Sequence, residues 1–173
     1  MRPSRPLHRL LNTLDTTTLT LLLDIAPFEW SGILASVLAG SIVGTERQLL
    51  GKPCGIRTSS LIVLGTYLFI ALAGAHYDGG DGSRVLGQIV TGIGFLGAGV
   101  ILAKDGIVLG VTSAAAIWSL AAIGAIIGEG HHLTGVKLAV LVVLVLVGVD
   151  LLEHSFSAMR RGVHAQFGRL RRK

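Results

Sequence analysis

The chain has 173 residues, the length of a single domain, of which 51% are hydrophobic and only 14% are charged. A soluble domain usually carries about 25% charged residues, so this composition excludes an ordinary water-exposed surface. The mean hydropathy of +0.70 indicates lipid as the solvent instead. The net charge of +5 comes largely from the two ends and gives no evidence of nucleic-acid binding, and a single cysteine excludes an intrachain disulfide.

Five apolar segments follow an N-terminal arm at residues 1–27 and predict an all-α, polytopic membrane helix bundle. At ~1.5 Å per residue, about 20 residues cross the ~30 Å hydrocarbon core of a bilayer. The predicted spans are 28–45, 56–75, 85–103, 113–128 and 133–152, within a transmembrane domain at 28–152. The fifth span is an almost unbroken run of Leu and Val, so we expect much of it to face lipid.

Residues 153–173 are predicted to form a basic cytoplasmic tail. Phe156, Met159, Val163, Phe167 and Leu170 recur every three or four residues, which is one stripe of a helix, while most of the arginines lie off it. This pattern predicts a short C-terminal basic amphipathic helix on an anionic leaflet. The alternative is a frayed basic tail that only sets the topology.

Lysine and arginine in the connections predict the orientation, because cytoplasmic loops of membrane proteins are rich in both. They are concentrated in the first loop (Arg47, Lys52, Arg57), in the third loop and in the tail. We therefore expect these segments to be cytoplasmic and the N-terminus to be outside.

The third span contains a glycine-rich run, Thr91 to Gly99. Gly92, Gly94 and Gly97 match G-x-G-x-x-G, but a dinucleotide site needs a strand before that motif, and here it lies inside an apolar span. Two interpretations remain for the run, which includes Gly99. Gly92, Gly99 and Ala103 can share one helical face for close packing, or Gly94 and Gly97 can weaken the helix so that it breaks and lines a cavity.

The first loop, from Gly44 to Thr58, combines several polar and charged side chains with glycines and a proline. Charged residues at membrane depth are costly and are usually paired or functional, so Glu46 is expected to pair with Arg47 or Arg57. The alternative is a positive-inside loop in which Glu46 is only an interfacial salt-bridge partner. The candidate functional motif is Glu46, Arg47, Lys52, Pro53, Gly55, Arg57 and Thr58.

Two stretches carry a resemblance to the MgtC/SapB family. The first is Gly44-Thr-Glu46-Arg47, followed by Gly51-Lys52-Pro53-Cys54-Gly55-Ile-Arg57-Thr58. The second is the run from Thr91 to Leu102 followed by Gly110-Val-Thr112-Ser113-Ala-Ala. Three positions depart from the family pattern: Cys54 replaces the usual Ala, Ser113 replaces a Thr, and Leu109 stands where a basic residue is common. Thr112 and Ser113 join the glycines as candidate packing or cavity residues.

The resemblance implies a bacterial inner-membrane protein with about five spans that supports adaptation to low magnesium and survival inside host cells. It also implies partners, because some members of the family are described as restraining other membrane complexes, including the proton-driven ATP synthase. Longer members carry a C-terminal soluble domain, and we expect this chain to be a short form without it.

Two functions follow as hypotheses. The first is a non-enzymatic regulator, with no cofactor, that contacts another membrane protein or a second copy of itself through its small-residue helix faces. The second is a transporter or channel for Mg²⁺ or another cation. Mg²⁺ prefers oxygen ligands in octahedral geometry, and Glu46 and Asp150 are the candidate acids. No catalytic set is visible, so an enzyme is not expected.

Overall fold

A computed structural model describes residues 18, 21, 23–76, 82–104 and 107–155 of the chain. Its main elements are five helices and one short antiparallel hairpin. In chain order they are α1 (Trp30–Leu49), α2 (Ile56–His76), α3 (Gly82–Gly99), β1 (Leu102–Lys104), β2 (Ile107–Leu109), α4 (Val111–Gly128) and α5 (His132–Ser155). The all-helical bundle predicted from the apolar segments is confirmed, with the hairpin as an addition.

Successive helices run in opposite directions, so the end of one helix and the start of the next lie at the same end of the bundle. At one end the side chains of Glu29 and His132, just before α1 and at the start of α5, lie 4.0 Å apart. Tyr67 of α2 lies there too, and its hydroxyl accepts a hydrogen bond from the Glu29 N–H at 2.9 Å. The opposite end, which we call the hairpin end, holds the α1–α2 loop, the β1–β2 hairpin and the start of α4.

Helix α4 is the centre of the bundle and contacts all four other helices. Its side chains contribute to both apolar clusters: Leu120, Ile123 and Ile127 pack with α1 and α2, and Ile117 packs with Ile93 of α3. In the apolar, membrane-length stretch of α4, 56% of the residues are buried inside the bundle, against 11% in that of α5. The outward face of α5 therefore presents leucine and valine to the surroundings, as the sequence predicts for a lipid-facing helix.

Glycines let the helix backbones come unusually close at two contacts. A Cβ at Gly40 or Gly44 of α1 would overlap the backbone of α2 at Ser60 or Ile56. A Cβ at Gly124 of α4 would lie 2.5 Å from the carbonyl oxygen of Val63. The G-x-x-x-G pairs in α1 and α4 therefore act as packing sites of the kind common between membrane helices.

Three helices are long and apolar enough to cross a membrane, namely those containing Ile56–Ala75, Val111–Gly128 and His132–Leu152. The other two have comparable lengths, but α1 ends in Glu46, Arg47 and Gln48, and α3 is rich in glycine. Their crossing of the bilayer stays a prediction, as does the count of five spans.

The third predicted span differs most from the structure. Helix α3 is continuous through the glycine-rich run and ends at Gly99, and the chain then turns into β1. Ala103 therefore pairs with Val108 in the hairpin, so the expectation that it shares a helical face with Gly92 and Gly99 is wrong. A broken helix between Gly94 and Gly97 is likewise not observed. The predicted amphipathic helix from Phe156 onward and most of the N-terminal arm lie outside the described residues.

The close contact at Gly124 gives a first test. We expect Gly124→Ala to lower the midpoint of thermal unfolding in detergent, because the added methyl must displace the α2 backbone, an overpacking cost of about 1–3 kcal/mol. Gly148→Ala is the matched control, since a Cβ there meets nothing within 4 Å. In a helix interior that substitution should be neutral or stabilising, since Ala has the better helix propensity. Equal effects of the two substitutions would contradict the packing role of Gly124.

Candidate functional site

The hairpin end buries an arginine. Arg47, near the end of α1, is only 3% exposed, and its Nη2 donates a hydrogen bond of 2.7 Å to the hydroxyl of Ser113. Ser113 lies in the first turn of α4 and is itself buried. This bond joins two helices whose sequence positions are 66 residues apart. Hydrogen bonds to a charged group are among the stronger ones, so Arg47 fixes the end of α1 against the central helix.

The same arginine has an acidic neighbour. Glu46 is also buried, and its Oε2 lies 3.9 Å from the Nη1 of Arg47, which confirms the predicted pairing. The contact is an ion pair without a hydrogen bond, since adjacent residues of a helix point in different directions. Two buried polar atoms of this pair, Glu46 Oε2 and Arg47 Nε, have no hydrogen-bond partner among the described residues. The site is therefore charge-balanced but incompletely hydrogen-bonded, which is costly and is typical of functional positions.

A tight turn delivers Ser113 to this position. Gly110, just before α4, has a φ of +89°, and a Cβ there would overlap the carbonyl oxygen of Val100 at the end of α3. No side chain caps the first turn of α4. Only glycine can combine this positive φ with the close approach of the Val100 carbonyl without strain. Gly110 therefore sets where α4 begins and so positions Ser113.

The α1–α2 loop is held by the side chain of Gln48, which the sequence analysis did not single out, and by a backbone hydrogen bond. The Gln48 Oε1 accepts the N–H of Ile56 at 3.2 Å and so satisfies one free donor at the start of α2. A Cβ on Gly55 would lie 2.8 Å from that same oxygen, which explains glycine there. The Lys52 N–H donates to the Arg47 carbonyl at 2.9 Å, so the loop folds back on the end of α1.

Cys54 points inward from this loop. It has a φ of +66°, uncommon for a residue with a side chain, and it packs beside the cluster of Ile93 and Ile117. Burial raises the pKa of the Cys54 thiol above its ordinary value, and the nearby Arg47 cation opposes this to a smaller extent. Cys54 is thus a protonated, half-buried packing residue that lies close to the arginine.

The structure brings only part of the predicted motif together. Glu46, Arg47 and Ser113 converge, and Gly55 supports them through Gln48. Lys52, Pro53, Arg57, Thr58 and Thr112 have exposed side chains, and Thr58 lies in a separate groove between α2 and α3. The functional role proposed for these residues stays a prediction.

The glycines of α3 also separate into two groups. Gly97 is buried and lies against Ala114 and Trp118 of α4. A Cβ at Gly92, Gly94 or Gly99 would meet nothing within 4 Å, so these three do not serve packing among the described helices. They leave open space beside α3.

The described residues form no cluster of metal ligands. In residues 18, 21, 23–76, 82–104 and 107–155, no three His, Cys, Asp or Glu side chains come together to hold an ion. The carboxylate of Glu46 already has Arg47 as its positive neighbour.

A bundle of long apolar helices, with an apolar outer face and its buried charges at one end, defines a polytopic helical membrane protein. The chain belongs to the MgtC family, which it matches over residues 33–155. All of the helical residues in the candidate site lie within that match.

Several curated proteins are similar to this chain. YhiD of Escherichia coli K12 is 40% identical over 142 residues, which cover 78% of this chain and 65% of YhiD. MgtC of Brucella abortus is 36% identical, with 75% of this chain and 56% of that protein covered. MgtC of Salmonella typhimurium is 40% identical over 57% of this chain and 42% of its own length. The chain thus spans less than two thirds of the length of these relatives. No solved structure matches it.

The Arg47–Ser113 bond gives the second test. Ser113→Ala should lower the free energy of unfolding by about 2 kcal/mol, because it removes a charge-assisted hydrogen bond and leaves the buried guanidinium with fewer partners. Ser119→Ala is the matched control, since that hydroxyl on the same helix only bonds the Ala115 carbonyl one turn earlier. Denaturation in mild detergent measures both. A Ser113→Ala effect no larger than that of the control would show that the bond does not hold the helices.

The Cys54 thiol gives the third test. Since its pKa is raised in the fold, less thiolate is present at neutral pH, and iodoacetamide should alkylate the folded chain more slowly than the chain unfolded in SDS. The raised pKa also means that the protonated thiol favours folding below the unfolded pKa and that this contribution is lost as pH rises through the folded pKa. The rate is followed by mass spectrometry from pH 7 to alkaline pH. Equal alkylation rates in the folded and unfolded chain would contradict the raised pKa of the Cys54 thiol.

Proposed function

We propose that this protein is a non-enzymatic regulator that binds another membrane complex through the lipid-facing surface of α3. The observation that carries the proposal is a stripe of small residues at helical spacing, formed by Gly87, Thr91, Gly94 and Ala98. All four are exposed or partly exposed, and a Cβ at either glycine would meet nothing within 4 Å.

Small residues favour helix association in a membrane because they let two backbones approach closely. The chain already uses this mode internally at Gly40, Gly44 and Gly124, where the partner backbone is present. The stripe on α3 has the same composition without a partner among the described helices. Phe95, beside the stripe and 82% exposed, would add apolar contact area for a partner helix.

Membership of the MgtC family supports a role in adaptation to low magnesium. The resemblance of the sequence to this family suggests the proton-driven ATP synthase or a transporter as the class of partner. We place the protein in the bacterial inner membrane, with the hairpin end and the C-terminus in the cytoplasm. The grouping of Arg47, Lys52 and Arg57 at that end supports this orientation.

The name of the E. coli relative YhiD puts that protein forward as a magnesium transporter. A cation path would need several oxygen ligands directed at one point. In the described part of the chain, Glu46 is neutralised by Arg47, and no cluster of three acids, histidines or cysteines forms. The described residues therefore offer a surface for partner binding, whereas they offer no set of ligands for a cation path.

The fourth test is capture of the partner from native membranes. Tagged protein is crosslinked in the cells that express it, solubilised and purified, and the recovered polypeptides are identified by mass spectrometry. Gly94→Leu should abolish recovery of the partner, because the larger side chain prevents close approach at the stripe. Gly148→Leu on α5, also at an open glycine, should leave recovery unchanged.

The regulator hypothesis fails if the wild-type chain recovers only itself. It also fails at the proposed surface if Gly94→Leu captures the same partner as the wild type does.

A further inference from the structure

A groove separates α2 and α3, although these helices follow one another in the chain. Its volume is about 680 Å³, and the residues that line it run from Thr58 to Phe69 on α2 and from Arg84 to Leu96 on α3. The walls are mostly apolar, with Thr58 and Thr66 as the polar residues of α2, and a Cβ at Gly65 or Gly92 would enter open space. The groove lies on a different face of α3 from the small-residue stripe, since none of the stripe's four residues lines it.

The chemistry of the groove is amphiphilic along its length. Of the described residues that line it, Arg84 alone is charged, and it lies near the start of α3. Gln88 lies one turn further along, and the lining beyond it on α3 is apolar as far as Leu96. A guanidinium offers five N–H donors in a planar fork suited to phosphate oxygens, so it can bind a phosphate beside any other acceptor it contacts.

The dimensions select the occupant. Leu96 lies twelve positions after Arg84, a rise of about 18 Å, which is close to the ~15 Å depth of one leaflet of the hydrocarbon core. The volume of the groove falls in the ~300–1,000 Å³ range of small-molecule sites. A cation at one end of an otherwise uncharged, mostly apolar lining matches a phosphate followed by an acyl chain, so a single phospholipid suits the groove better than an apolar partner helix.

We propose that the α2–α3 groove binds one glycerophospholipid, with its phosphate at Arg84 and one acyl chain along the apolar walls past Gly65 and Gly92. The Gln88 amide lies where the ester carbonyls of the glycerol backbone would follow the phosphate. This inference goes beyond the regulator function and does not depend on it, since all of the residues named for the site belong to one chain.

The experiment uses the full chain in nanodiscs that contain a small fraction of phospholipid with a photoreactive diazirine on one acyl chain. After illumination, crosslinked peptides are mapped by mass spectrometry. We expect crosslinks concentrated on the groove walls of α2 and α3 over those on the outer face of α5, which any annular lipid also touches.

Two variants fill the groove from opposite walls. Gly92→Leu and Gly65→Leu place a side chain where a Cβ now meets nothing, and each should cause loss of the groove crosslinks. Gly87→Leu is the matched control on α3, because that position is equally open but does not line the groove. If one filling variant fails to fold, the other still tests the site.

The phosphate contact is tested separately by native mass spectrometry of the purified protein. Arg84→Gln should weaken phospholipid retention about tenfold, as expected for the loss of a charge-assisted hydrogen bond, while Lys137→Gln on α5 should not. Uniform crosslinking around the chain that the glycine variants leave unchanged would overturn the proposal. So would a second polypeptide crosslinked to the groove in native membranes in place of lipid.

Discussion

The bundle depends on a buried guanidinium at one of its ends. Arg47 is the last charged group of α1, and in the fold it donates to the first turn of α4 and lies beside the carboxylate of Glu46. Removing such a cation from water is tolerable only with partners, and breaking a buried pair costs several times more than breaking an exposed one. The turn at Gly110, the loop held by Gln48 and the packing of Cys54 all serve to close the structure around this one side chain.

Away from that end, the helices are held by shape instead of charge. In hydrocarbon, apolar side chains gain little by leaving lipid for another helix, so close backbone contact has to supply the association. The glycines of α1 and α4 provide it where these helices meet α2, and α4 contacts every other described helix. Helix α3 is the exception, because several of its glycines face open space, and both surfaces proposed for ligands or partners involve it.

Much of this could be predicted from the sequence, and the rest could not for identifiable reasons. Long apolar segments gave the helices, and the cost of membrane charges gave the Glu46–Arg47 pair, because both signals are local. The hairpin had a signal that was overlooked: Asp105-Gly106 between two short apolar runs is a strong two-residue turn sequence. The Arg47–Ser113 bond joins positions far apart in the chain, so no local pattern contains it. The glycine-rich run was ambiguous since composition cannot tell an internal contact from an exposed face.

The central place of α4 has a consequence for biogenesis. A chain emerges from the ribosome N-terminus first, so α1, α2 and α3 are made before the helix that all of them contact. Until α4 is made, Arg47 has no Ser113 hydroxyl to donate to, and the central helix that the other helices contact is missing. The buried polar contact at the hairpin end can therefore form only once α4 is in place.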